Sequence, residues 1–238
     1  MRNYFTLGGI DSRTMGLYLN GSAVFSSPAR EINFISVPGR NGDLIGLPTR
    51  LQNGVLTYEQ AYIFNNFTTN IVAVRNLLLA TTAYRRLVDT YNPTEYRMVT
   101  FAGPLDVEVT ARLNAGRFNL SFQCMPQRWL LSGDTITTLT ATGSISNPTL
   151  FSAKPLLRVY GKGNLGIGSQ TLTIASGYPN SYIDIDCERM VAYYGTTNCN
   201  GYVSSSGIDF PALAPGANAI SLGSGITRVE ITPRWWRV

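Results

Sequence analysis

The stretch LDVEVTARL, residues 105–113, runs through Asn114-Ala115-Gly116 into FNLSFQC, residues 118–124. Leu105, Val107, Val109, Ala111 and Leu113 fall on one side of the first segment, Asp106, Glu108, Thr110 and Arg112 on the other. Phe118, Leu120, Phe122 and Cys124 repeat the alternation. Successive strand side chains point to opposite faces, so the pattern reads as a two-strand hairpin with one buried face, and Gly116 is read as the left-handed residue of its short loop. The same period recurs over 170–175, 181–187 and 226–232, and Asn20-Gly21, Asn41-Gly42, Asn53-Gly54 and Asn200-Gly201 supply turn signals between such runs. The chain is expected to be mainly β.

One segment departs from this period. Over 69–81, Ile71, Val74, Leu77 and Leu78 recur at helical spacing, with Thr68 or Thr69 available as a cap. At 238 residues the chain is long enough for two ordinary domains. Charge nearly vanishes over 135–153, TITTLTATGSISNPTLFSA, which sets the expected boundary near 133. Residues 1–132 then form a β domain with one helix. Residues 133–238 hold about 100 residues of short strands with Gly, Pro and Asn turns, the size of a β-sandwich. The fold class expected is two β-sandwich-like domains.

Composition bears on function chiefly through what it lacks. There is no histidine, which excludes Ser-His-Asp and Cys-His catalysis and His-based metal centres. Cys124, Cys187 and Cys199 are odd in number and have no C-x-x-C spacing, so free thiols are expected rather than a disulfide framework or zinc site. Gly161-Lys162-Gly163-Asn164-Leu165-Gly166 fits a dinucleotide fingerprint, but the residues after it alternate as a strand and provide no helix N-terminus for a pyrophosphate, so it reads as a turn. Asp184, Asp186 and Glu188 read as solvent-facing acids opposite buried Ile183 and Ile185. No catalytic residue, metal or cofactor is expected.

The net charge is +5, from 17 Arg and two Lys against 14 acids. Within 1–132, 12 Arg stand against 8 acids. They are scattered singly among the acids, a pattern better suited to planar ion pairs and protein interfaces than to tracking nucleic acid. The apolar run 71–80 is broken by Arg75 and Asn76 and is shorter than the ~20 residues of a membrane-spanning helix, so no membrane insertion is expected. The first residues, MRNYFTLGGIDSR, lack an apolar signal core, which implies a protein that stays in the cytoplasm of the cell that makes it or leaves by another route.

Two stretches are candidates for contact. VPGRNGDL, 37–44, lacks the Lys-Ser/Thr ending and following helix of a phosphate loop. Asn41-Gly42 reads as its chain reversal, with Arg40 and Asp43 presented at the shoulders. Pro38, Gly39, Arg40, Asn41, Gly42 and Asp43 therefore form a candidate subunit-contact loop. At the other end, Pro233-Arg234-Trp235-Trp236-Arg237 interleaves cations and aromatics. Trp235 and Trp236, with Tyr193 and Tyr194, are a candidate peripheral contact or saccharide surface.

In order along the chain, several features resemble the distal tail protein of long-tailed, non-contractile bacteriophages. They are the early strand and Gly pair between Phe5 and Gly9, the P-G-R-x-G pattern at Pro38, Gly39, Arg40 and Gly42, and the single helix leading to Ala83-Tyr84-Arg85-Arg86-Leu87. The strand from Phe118 to Pro126 with Trp129, the opening of the second half at Lys154-Pro155-Leu156, Phe210-Pro211-Ala212-Leu213 and Pro215-Gly216-Ala217-Asn218 complete the set. The resemblance implies an N-terminal belt domain that assembles into a six-membered ring at the end of the tail tube, and a C-terminal galectin-like β-sandwich on the periphery. The ring would join the tube protein to the tail-tip or baseplate protein and the receptor-binding apparatus. It would leave a channel through which DNA passes without specific binding, in a virion assembled in the bacterial cytoplasm. The alternative is a carbohydrate-binding module for host-surface adsorption.

Overall fold

The computed structural model describes residues 2–21, 27–47, 50–110 and 114–238. The chain divides into two compact units, Met1–Arg128 with Val238, and Trp129–Arg237.

In the first unit the chain forms β1 (Phe5–Leu7), β2 (Ile10–Asp11), β3 (Leu17–Tyr18), β4 (Asn33–Ile35), β5 (Leu44–Gly46), β6 (Gly54–Ile63), α1 (Phe67–Leu79), β7 (Arg85–Asp89), β8 (Glu95–Thr100), β9 (Glu108–Thr110) and β10 (Ala115–Leu130). One sheet runs β2-β1-β7-β8-β10-β6-β3, with β9 also on β10. Four strand spacings separate β1 from β6, about 19 Å across a flat sheet. Yet the rings of Phe5 on β1 and Tyr58 on β6 stack with centroids 6.2 Å apart. The sheet must therefore roll on itself. A bridge between Asn3 and Leu19 joins its two sides, with the Leu19 N–H donating to the Asn3 carbonyl at 2.8 Å. At the seam, buried Ser12 accepts from the Phe5 N–H and donates to the Leu17 carbonyl. Inside lie Phe5, Leu7, Leu56, Leu87, Leu120 and Phe122, each contributing about 2 kcal/mol by leaving water.

The helix is Phe67–Leu79, two residues earlier at each end than the pattern indicated, and buries Ile71, Val74, Leu77 and Leu78. Neither Thr68 nor Thr69 caps it. Asn66, in the left-handed region, takes the cap position, and the Phe67 N–H is satisfied from a distance by the Asn114 side chain.

The hairpin at 105–124 is only half as expected. The second arm buries Phe118, Leu120, Phe122 and Cys124. The first arm pairs only over Glu108–Thr110, Val109 is exposed, and residues 111–113 lie outside the described residues. β6 holds one edge of β10, from Gly116 opposite Ile63 to Cys124 opposite Gly54, so the first arm is left the other edge, which it shares with β8. Asn114, rather than Gly116, has the positive φ, and Gly116 instead leaves room for the Phe67 ring.

The second unit contains β11 (Thr137–Leu139), β12 (Gly143–Asn147), β13 (Leu156–Gly161), β14 (Gly163–Ile167), β15 (Gln170–Ile174), β16 (Tyr182–Asp186), β17 (Val191–Tyr194), β18 (Thr197–Asn198), β19 (Val203–Ser205), β20 (Gly216–Leu222), β21 (Ile226–Thr232) and β22 (Trp236–Arg237). Two sheets, β11-β21-β13-β16-β17-β18 and β12-β20-β14-β15-β19, share one core. Leu157, Val159, Ile183, Ile185, Val229 and Ile231 face Leu165, Ile167, Leu172, Ile174 and Ile220 in a β-sandwich. Gly161–Gly166 is the junction of β13 and β14, with Gly161 and Gly163 at positive φ and no helix behind it. All three cysteines are free and buried, and burial pushes the Cys187 thiol up to about 12.

Candidate functional site

The stretch 37–44 is the tip of a ribbon. Among the described residues β4 and β5 pair only with each other, with Asn33 opposite Gly46, Phe34 opposite Ile45 and Ile35 opposite Leu44. At its base Arg30 and Leu51 bridge, the Glu31 N–H donates to the Arg50 carbonyl and the Gln52 N–H to the Ala29 carbonyl, both at 2.8 Å. Arg50 Nε also meets Glu31 Oε2 at 2.5 Å.

The reversal itself differs from the sequence reading. The Arg40 N–H donates to the Val37 carbonyl at 3.2 Å across Pro38 and Gly39, and Gly39 has φ +79°. This is a type II turn, in which Pro presets the first central residue and Gly supplies the positive φ of the second. Asn41-Gly42 does not make it: Gly42 is at +82°, but Asn41 is not at positive φ. Arg40 and Asp43 are exposed, and neither makes an ion pair among the described residues.

Side chains of the ribbon alternate between two faces. Phe34 (62% exposed) and Ile45 (65%) share one, Ile35 and Leu44, also exposed, lie on the other, and Leu47 (85%) follows just beyond β5. A two-stranded hairpin is marginal in water by itself, and clustered exposed apolar side chains mark interaction surfaces. The ribbon thus presents exposed apolar side chains on both faces. The sequence reading found its tip but missed these apolar residues, whose alternation over only three residues per strand is too short to register.

The aromatic carboxyl end is arranged differently from the expectation. Trp235 is buried in the second core, its carbonyl accepting from the Leu130 N–H at 2.8 Å and its backbone packed against Gly133. It offers no ring face to a ligand, a correction to its place among the surface residues. Trp236 is partly buried, stacked on Phe151 at 4.4 Å, and donates from Nε1 to the Ser152 carbonyl at 3.0 Å. Tyr193 sits opposite Asp184, and the Tyr194 ring lies 4.8 Å from that of Tyr182. Tyr182 in turn lies 5.7 Å from Tyr160. The Arg228 guanidinium covers Tyr160 at 3.8 Å and that of Arg158 covers Tyr182 at 4.5 Å. This cross-strand row could be read only from register.

Asp184 and Asp186 are buried rather than solvent-facing, whereas Glu188 is exposed. Arg158 donates to Asp184 through Nε (2.7 Å) and Nη2 (3.0 Å). Arg234 donates to Asp186 through Nη1 (2.8 Å) and Nη2 (3.0 Å), joined by the N–H groups of Glu188 and Arg189. Burial raises the Asp186 carboxyl, but these donors outweigh it and hold the group below the ordinary carboxylate range. Both acids are committed to structural pairs. Among the described residues no group of three His, Cys, Asp or Glu side chains is placed to hold a metal ion, and no helix is long and apolar enough to cross a membrane.

No protein-family model matches the sequence, and no curated protein matches it. Solved structures do match the fold. The SPP1 Dit (gp 19.1) protein, a paradigm of the hub adsorption apparatus in phages infecting Gram-positive bacteria, is similar with a TM-score of 0.74 at 14% identity, covering 100% of each chain. A chain of the phage P2 baseplate in its activated conformation with Ca gives 0.52 at 11% identity, over 97% of this chain and 98% of that one. The same baseplate with Sr gives 0.51 at 11% identity, over 99% and 98%. At such identities the likeness is one of fold: from end to end, this chain has the mainly β fold of a phage Dit protein.

Proposed function

We propose that the chain is a structural component of the distal end of a phage tail. The observation that carries this reading is the fold likeness over the full length of both chains to the Dit protein of a hub adsorption apparatus. In this reading residues 1–132 form a six-membered ring and residues 133–238 a peripheral docking domain. The ring joins the tail tube to tail-tip, baseplate and receptor-binding proteins and leaves a channel for DNA. Its work is assembly rather than catalysis, and its place is the virion. The ribbon supports the reading from the physical side. A closed ring needs one patch that meets a different patch on the next copy, and Phe34, Ile45, Leu47, Arg40 and Asp43 stand exposed on one projecting element. Native mass spectrometry with negative-stain microscopy of the purified protein tests this. A six-membered ring is expected, and a protein that stays monomeric at high concentration and binds neither tube nor tail-tip protein overturns it.

A further inference from the structure

We infer that the ribbon of one copy seats on the outer face of α1 of the next copy, with Asp43 meeting Arg75. The inference rests on the assembly reading above and names the two surfaces that meet.

The ribbon supplies the first. Phe34 and Ile45 pair on one face, and exposed Asp43 and Leu47, each two residues from Ile45 and just outside β5, flank them along the chain. The second surface lies on the helix. While Ile71, Val74, Leu77 and Leu78 are buried, Val72 (53% exposed) and Leu79 (63%) face outward. Positions 72, 75, 76 and 79 share one stripe, so Arg75 stands between the two apolar residues, about 10 Å of helix from end to end. The helix carries no acid. Neither Arg75 nor Asp43 has an ion-pair partner among the described residues, and both are exposed. Asp43 and Arg75 are thus unpaired charges of opposite sign beside exposed apolar side chains, with Arg40 a further exposed charge at the ribbon tip.

Position makes this a contact between copies. The ribbon enters β6 at Gly54, whereas α1 follows its far end, Ile63, with Phe67 packed on Gly116 opposite Ile63. Ten residues of strand span about 30 Å. Two complementary patches at opposite ends of one strand describe a head-to-tail contact, which repeats into a ring or an open helix.

The test is a charge-swap set on the full chain. Asp43→Arg and Arg75→Asp are each expected to weaken self-association roughly tenfold, since reversal replaces attraction by repulsion, and the double variant is expected to recover most of the loss. Circular dichroism checks that each monomer stays folded. A chain carrying both Asp43→Cys and Arg75→Cys is expected to cross-link between copies on mild oxidation. Assembly that is indifferent to the swaps, with no cross-link, overturns this pairing and leaves the ring intact as a reading. A wild-type protein that never self-associates overturns both.

Discussion

Arg234 grips Asp186 with both terminal nitrogens, at 2.8 and 3.0 Å, across 48 residues of sequence. Arg234 reaches it from a left-handed backbone (φ +59°), which turns its side chain towards β16 while Trp235 enters the core. Removing one partner of a buried pair leaves the other uncompensated, so Asp186→Ala is expected to destabilise the second unit by about 3 kcal/mol in urea unfolding.

The same pair sets an acid limit. The Asp186 carboxyl has a lowered value in the folded chain, so it binds fewer protons than in the unfolded one. Its stabilisation is present above the unfolded value, near 4, and is lost as pH falls through the lower folded value. Melting temperature followed from pH 6 down to about 2 should fall, and the fall should be shallower in Asp186→Asn, which starts lower.

A second side chain closes the helix. Arg85 donates from Nη1 to the Leu77 carbonyl (2.6 Å) and from Nη2 to that of Leu78 (3.1 Å), satisfying two groups that have no partner within the helix. Arg85→Ala is expected to lower first-unit stability by about 1–3 kcal/mol and to speed hydrogen exchange in the last turn of α1.

On the ribbon, turn and contact separate by substitution. Gly39→Val forces a β-branched residue to φ near +79° and should reduce order locally by about 1–2 kcal/mol, visible as faster proteolysis at the tip. Arg40→Ala should leave melting unchanged, since Arg40 has no ion-pair partner among the described residues, while weakening assembly several-fold.

Much of this was legible in the sequence, and the misses have a common cause. Period two located β10, β15, β16 and β21, and the 3.6 period located α1, because each pattern is a local record of one buried face. What failed was set by partners distant in sequence. Residues 105–113 carry a strand pattern, yet among the described residues only 108–110 pair with β10, on the edge that β8 also occupies. The acids at 184 and 186 alternate with Ile183 and Ile185 as solvent-facing residues do, but Arg158 and Arg234 reach over them. Trp235 resembles a surface anchor until Gly133 is seen packed against its backbone. Within the candidate loop, Pro38-Gly39 outcompeted Asn41-Gly42 because Pro already has the φ of the first turn position.

The central claim is that this chain works by assembling, and its oligomeric state by native mass spectrometry at micromolar concentration tests it most directly. A closed ring of six copies is the predicted result. A monomer alone, with the ribbon's apolar side chains left uncovered and no binding to tail-tube or tail-tip protein, would contradict it.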